Sequence, residues 1–358
     1  MFSWLEKHQT KRVLCGAVGL AAALSALCSL SWRMVLDTPN MLYQANLMFN
    51  HGMMPYRDFF CINLPGSLWM YGWIIRCLGV SDWAAHVANL FIVSLISALA
   101  YLALSKSCQV CALLGIGLGV LRIFSGEVAF ILERELLALI PISGLMVLGF
   151  RKPLRRSVRE MAAGLLLAWV FLIKPQLLLY GVPSVYLLLR ECKTARDGAR
   201  TLVVMGGSCL LPVVVCGLWL LKNGAWSQFC ETVQYWSLYG QMTKSFTFVP
   251  PAERLHSICV HVSRMIVSPY MALACVSLYI ACKDKVLERH ELVFWALLLP
   301  ITMVVPALSG QFWGYHRLPF FYFTLCASGY LLSGRAWATG LAILAALIWI
   351  PFTAMHVY

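Results

Sequence analysis

The residues best suited to chemistry in this sequence are charged groups for which a largely apolar chain has no topological use. They are Asp37, Arg57, Asp58, Arg122, Glu127, Glu133, Arg134, Glu135, Lys174, His316 and Arg317. Charges beside a membrane core are costly and are commonly retained for function. A carboxylate so placed can take the proton of an attacking hydroxyl. Arginine presents a planar, bidentate fork to phosphate, and lysine or histidine presents a single donor. Each residue also has a structural reading. Asp37 can cap the helix that follows it, and Asp58 can pair with Arg57. Arg134 can pair with Glu133 or Glu135, Lys174 can snorkel to the interface, and His316 can sit there as a satisfied histidine.

The elements that must carry these groups are set by composition. Hydrophobic residues make up 61% of the 358 and charged residues only 12%, about half the charged share of a soluble globular chain. The apolar residues run in stretches long enough to cross a hydrocarbon core about 30 Å thick, which takes roughly 20 residues of helix. Barrel strands would be shorter and would alternate, so the expected class is all-α. The stretches 13–31, 83–104, 108–121, 129–149, 161–173, 175–189, 201–221, 264–282, 292–308, 318–333 and 336–354 predict about eleven spans. The whole of 1–358 then forms one integral membrane domain. The pair flanking Lys174-Pro175 is short enough to be one kinked or re-entrant element. Ser31-Trp32-Arg33 offers no small-x-small cleavage site, so the first stretch reads as a retained span.

Orientation follows from lysine and arginine. With the N-terminus cytoplasmic, loops 151–160, 190–200 and 283–291 also face the cytoplasm and carry the basic excess. The net charge of +13 is then mostly topology and not a nucleic-acid footprint. The longest polar segments, 32–82 and 222–263, fall on the external side with the unexplained charges.

The first of these segments is the more structured. Thr38 and Pro39 predict a helix over 39–51, with Thr38 as cap and Pro39 at the first helical position. Gly52 ends it. Met41, Leu42, Ala45, Met48 and Phe49 recur at helical spacing, as in a helix lying on a bilayer surface. The stretch 65–78, opened by Pro65-Gly66 and carrying Trp69, Tyr71 and Trp73, predicts a second interfacial helix.

Asp37, the helix ending at Gly52, and Pro55-Tyr56-Arg57-Asp58-Phe59-Phe60 followed by Pro65-Gly66 resemble the first periplasmic loop of GT-C glycosyltransferases. Glu133-Arg134-Glu135-Leu136-Leu137-Ala138, Lys174-Pro175-Gln176 and Gly310-Gln311-Phe312-Trp313-Gly314-Tyr315-His316-Arg317-Leu318-Pro319 resemble later stretches of the bacterial branch, which is related to protein mannosyltransferases and aminoarabinose transferases. The resemblance spans residues 37 to 319. It departs where many relatives carry Asp-Glu, since this chain has Asp37-Thr38, and it includes no extracytoplasmic C-terminal domain like that of some relatives. It implies an enzyme of the inner (plasma) membrane that moves a sugar from a polyprenyl-phosphate donor to a glycan or lipid acceptor of the envelope, with inversion. On that analogy Asp37 is the base and Asp58 the reserve. Arg134, Lys174 and His316, with Arg57 and Arg122 behind them, would bind the donor phosphate, since fixed cations stabilise the developing charge. Tyr56, Glu133, Glu135, Tyr315 and Tyr235 would contact substrate. Membrane lipids are the surrounding partner. A divalent cation stays open as a helper.

Other signals are weaker. Tyr235-Trp236-Ser237-Leu238-Tyr239 reads as an interfacial belt or as stacking faces for sugar or lipid. His256 and His261 are five apart and complete no metal site. Gly115-x-Gly117-x-Gly119 lies inside a span and reads as close helix packing, not a nucleotide loop. Cys108-x-x-Cys111 has no second pair and no nearby histidine, so most cysteines here read as small hydrophobes. Cys61, Cys77, Cys230 and Cys259 are the external cysteines and leave room for one disulfide. A flippase or transporter, or a non-catalytic assembly subunit, remains the competing class. The absence of internal duplication and the crowding of polar groups at one rim weigh against a transporter.

Overall fold

The computed structural model describes residues 2–35, 37–125, 130–152, 154–242, 250–308 and 313–333. The expected span 336–354, Glu127 and residues 310–312 lie outside these. Among the described residues there are fourteen α-helices and no strand. The first group is α1 (Phe2–Cys28), α2 (Asp37–Asn50), α3 (Pro65–Leu78), α4 (Asp82–Leu104) and α5 (Gln109–Ser125). Next come α6 (Arg134–Arg151), α7 (Arg156–Ile173), α8 (Val182–Leu189), α9 (Ala195–Lys222) and α10 (Trp226–Met242). The last are α11 (Pro251–Ile266), α12 (Pro269–Lys283), α13 (Arg289–Leu308) and α14 (Leu318–Ser328).

Four helical stretches are long and apolar enough to cross a membrane: Gln9–Ser31, Asp82–Leu104, Ala195–Lys222 and Arg289–Leu308. A fifth is reached if the pair at Ala252–Ile266 and Pro269–Lys283, bent by 55°, counts as one span. Their outer faces are apolar. Leu20, Leu24 and Leu27 on α1 are exposed, as are Val203, Leu210, Leu211, Val214 and Leu218 on α9. Water would penalise so continuous an apolar surface, whereas a bilayer solvates it. The chain is therefore a helical membrane protein.

At the centre stands α14, with every residue from Leu318 to Ser328 buried, as expected of a helix apolar on all sides. It packs on α5, α12 and α13, while α5 also meets α1 and α4. The glycine run of α5 is what permits this. A β-carbon at Gly115 would strike the backbone of Cys326, one at Gly119 the ring of Tyr322, and one at Gly117 the side chain of Val18.

Several expected boundaries shift. The helix expected at 39–51 begins at Asp37, so Pro39 is its third residue, where its missing N–H still has no intrahelical partner to lose. Thr38 does not cap it, because its hydroxyl donates to the Ile131 carbonyl at 2.7 Å. The apolar face of α2 does not lie on lipid either. Met41, Leu42 and Ala45 are buried, and Phe49 abuts Gly72 of α3 so closely that no β-carbon fits there. The stretch expected to start at 129 becomes helical only at Arg134. The stretch 264–282 starts at Pro269, preceded by the separate amphipathic α11. At Lys174 the residue before proline is forced extended, with φ −160° and ψ 108°, because the α region clashes with the Pro175 ring. A 3-10 stretch, Pro175–Gly181, then leads into α8.

Candidate functional site

Segments far apart in sequence meet around the first turn of α6. The turn before it is pinned from three sides. Leu132 takes a left-handed φ of 53°. Its N–H donates to Asn89 Oδ1 at 2.9 Å, and its carbonyl accepts from the Tyr71 hydroxyl. Thr38 holds the preceding carbonyl, that of Ile131. A left-handed leucine is strained and persists only when its surroundings fix it. The result is that Glu133 sits extended at the N-cap position and Arg134 and Glu135 open α6.

Arg134 reaches two partners. Its Nη2 lies 3.2 Å from Asp37 Oδ2, and its Nη1 donates to Asn63 Oδ1. The Tyr315 hydroxyl donates to the same Asp37 oxygen at 3.3 Å. Burial pushes the Tyr315 phenol well above its usual range, so it remains a donor. Deeper, Glu135 Oε1 accepts from Lys174 Nζ and lies 3.6 Å from His316 Nε2. Side-chain exposure orders these groups: Asp37 is 41% exposed and Arg134 16%, Lys174 9%, His316 5% and Glu135 1%. Asp37 is thus the most water-accessible member of a charged cluster whose most buried member is Glu135, with Lys174 and His316 beside it.

The structure therefore brings together Asp37, Arg134, Glu135, Lys174, Tyr315 and His316 and places Glu133 beside them. Asp37 does not turn away to cap a helix. Lys174 and His316 both face the Glu135 carboxylate, whose Oε1 accepts from Lys174 Nζ. Glu133 is buried, and neither of its carboxylate oxygens meets a hydrogen-bond donor among the described residues, nor does the second oxygen of Glu135. Buried carboxylate oxygens without donors are expensive and point to a proton or ligand that completes them. On the neighbouring turn the Arg122 guanidinium stacks on Phe321 at 4.4 Å and on Phe130 at 5.4 Å. Its Nε and Nη1 are buried without a hydrogen-bond partner among the described residues, so this cation has donors to spare.

The remaining expected site residues lie elsewhere. Asp58 accepts from Arg57 Nε and Nη2, each at 2.8 Å, and from the Met54 N–H at 2.7 Å. The Arg57 hydrogen bonds, with that backbone donor, hold its carboxyl down to about 2. Arg57 Nη1 donates to the Asn223 carbonyl at the end of α9. This exposed pair fastens the loop. Tyr56 is buried, with a left-handed φ of 69°, and its hydroxyl donates to the Asn63 carbonyl at 2.5 Å, fixing the residue that orients Arg134. Tyr235 packs edge-on against Phe60 at 6.5 Å, and Trp236 Nε1 donates to the Ile62 carbonyl at 2.9 Å. Segment 222–263 thus straps the first loop through Tyr235 and Trp236.

Asn63, Asn89, Tyr71 and Thr38 hold the site together; from sequence Thr38 reads only as a helix cap and Tyr71 as an interfacial aromatic, and neither asparagine is singled out. Asn89 carried a signal, an amide inside the apolar stretch 83–104. Among the described residues no three or more His, Cys, Asp or Glu side chains are arranged to hold a metal ion. All fourteen cysteines are free thiols.

No family model, no curated protein and no solved structure matches this chain.

Proposed function

We propose that this protein is a membrane glycosyltransferase that moves a sugar from a polyprenyl-phosphate donor to a hydroxyl of an envelope glycan or lipid at the external face of the inner membrane. The observation that carries the reading is the convergence of Asp37, Arg134 and Tyr315 beside the more buried group of Glu135, Lys174 and His316. In this reading Asp37, the most water-accessible member, takes the acceptor proton as the hydroxyl attacks the anomeric carbon, inverting it. The bond from that carbon to phosphate oxygen breaks and the polyprenyl phosphate departs. Arg134 holds Asp37 in place and, with the unspent donors of Arg122, offers charge to the leaving phosphate. Lys174 and His316 stabilise the same region at longer range, since Glu135 already engages both. The lipid tail stays in hydrocarbon among about eleven spans, a count that includes short helices packed inside the bundle. The sequence resemblance to GT-C enzymes supports the same reading.

The test compares cells carrying the native protein, no protein, or Asp37→Asn at equal membrane levels. Mass spectrometry of envelope glycans should show one sugar missing in both of the latter. The membrane fraction should also stop releasing polyprenyl phosphate from its sugar-lipid pool. Unchanged glycans in cells lacking the protein would refute the proposal.

A further inference from the structure

The loop between α4 and α5 holds a dithiol that the proposed reaction does not use. Cys108 is the residue before α5: its carbonyl accepts the Ala112 N–H at 3.0 Å, and its Sγ accepts the Cys111 N–H at 3.4 Å. Cys108 is thus the N-cap of α5, with its sulfur over the exposed N–H groups of the first turn. Cys111 lies one turn in and is fully buried, whereas Cys108 is only partly buried. A thiol at a helix N-terminus is favoured as thiolate by the helix dipole and by nearby cations. Cations are present. Lys106 is in the same loop, Lys11 Nζ donates to the Leu332 carbonyl at 2.5 Å, and Arg151 Nη2 donates to Ser105 Oγ at 2.7 Å. The acid facing this loop, Glu291, is engaged by the Ser107 hydroxyl and the Glu288 N–H. A third thiol, Cys15 of α1, approaches from the side, with its Sγ 3.5 Å from the Val110 carbonyl.

We propose that Cys108 and Cys111 form a reversible dithiol–disulfide pair, with Cys108 as the attacking thiol and Cys111 as the resolving one. The co-reactant is a low-molecular-weight disulfide such as glutathione disulfide. The Cys108 thiolate attacks one of its sulfurs, a mixed disulfide forms, and one glutathione thiolate leaves. Cys111 then loses its proton and attacks the Cys108 sulfur, expelling the second glutathione. Two protein thiols become one disulfide as one glutathione disulfide becomes two glutathiones, so electrons balance. Partial exposure at Cys108 and full burial at Cys111 set this order, because only the first sulfur is open to an incoming reagent. The bond would staple the first turn of α5 where its backbone crosses residues 329–333, at the point where Gly329 lies against the Cys111 carbonyl.

The purified full chain in lipid nanodiscs would be equilibrated with reduced glutathione or glutathione disulfide, acid-quenched, denatured and alkylated with a maleimide of defined mass. The fully reduced chain should take up fourteen labels, one for each cysteine. The oxidised chain should take up two fewer, with the loss mapping to one peptide linking Cys108 to Cys111. Cys111→Ser should instead trap glutathione on Cys108, and Cys15→Ser should close the bond normally. Equal labelling under both conditions, a disulfide mapping to Cys15, or a two-label loss persisting in Cys111→Ser would overturn the proposal. The native-chain peptide map decides the matter even if a variant folds poorly.

Discussion

Asp37 and Asp58 carry the same functional group in opposite settings, and the difference is testable. Asp37 shares one oxygen between an arginine and a phenol and stays open to water. Asp58 is saturated by Arg57 and a backbone N–H. Its depressed carboxyl contributes to loop stability above the ordinary carboxylate range, and that contribution disappears only as the pH falls through about 2. A carboxylate that yields its charge so reluctantly is a poor proton acceptor. Asp37→Asn should therefore lower turnover about 10²–10⁴-fold while sparing donor binding, and Asp58→Asn should leave turnover close to native. Near-native turnover in Asp37→Asn, measured as polyprenyl phosphate released, would remove Asp37 from the mechanism. Arg122 is the second residue to test. Arg122→Ala gives up cation–π contacts of about 0.5–2 kcal/mol, and its clearer effect should be a raised KM for the sugar lipid. An unchanged KM would take Arg122 out of the donor site. The charged types and their spacing were legible in the sequence. What was not legible was which groups engage one another, because Lys174 and His316 meet the same Glu135 oxygen only in three dimensions. The supporting roles of Asn63 and Thr38 were invisible for a related reason: an ordinary polar residue becomes a support only when a distant segment arrives beside it.

At the scale of elements, glycine spacing and proline breaks were read correctly from sequence because their causes are local. Gly115, Gly117 and Gly119 do allow close packing, and the chain does break at Lys174-Pro175. The fate of an amphipathic face was less legible. The pattern Met41, Leu42, Ala45 and Phe49 states that α2 buries one side, and it cannot say whether lipid or α3 covers it. The start of α6 was misplaced for a similar reason, since Phe130 to Leu132 are apolar enough to be a span yet are held as a turn by Asn89, Tyr71 and Thr38. The central crossing yields an element-scale prediction. At Gly115 the obstacle to a side chain is the Cys326 backbone and not a flexible side chain, so it cannot step aside. Gly115→Leu should cost at least the ~1–3 kcal/mol of ordinary overpacking. It should show as a lower melting temperature and a smaller monodisperse peak on size exclusion. Gly198→Ala, where no atom stands within reach, is the matched control. Equal behaviour of the two would mean that α5 and α14 do not pack this closely.

For the whole molecule, the open question is which way the bundle faces, and contacts between distant segments narrow it. Segment 222–263 lies against segment 32–82 through Arg57 and Asn223, Tyr56 and Phe229, and Trp236 and Ile62. Both must therefore lie on one side, with the Asp37 cluster. The opposite ends of the helices carry the ion pairs Arg159 with Glu191 and Lys152 with Glu191, which tie loop 151–160 to loop 190–200. These two loops hold the densest lysine and arginine, so the positive-inside rule assigns their side to the cytoplasm and the Asp37 cluster to the exterior. Cysteines already present report on this without insertion of tags. Cys77, at the end of α3, is exposed on the Asp37 side, and Cys192, in the 190–200 loop, is partly exposed on the other. In intact cells a membrane-impermeant maleimide should label Cys77, while Cys192 should react only after permeabilisation. Each site is read by peptide mapping and by loss of its label in Cys77→Ser and Cys192→Ser. The reverse pattern would place Asp37 in the cytoplasm, where nucleotide sugars are plentiful and a lipid-borne donor is no longer demanded. The orientation and the donor class would then fall together, while the charged cluster itself would stand.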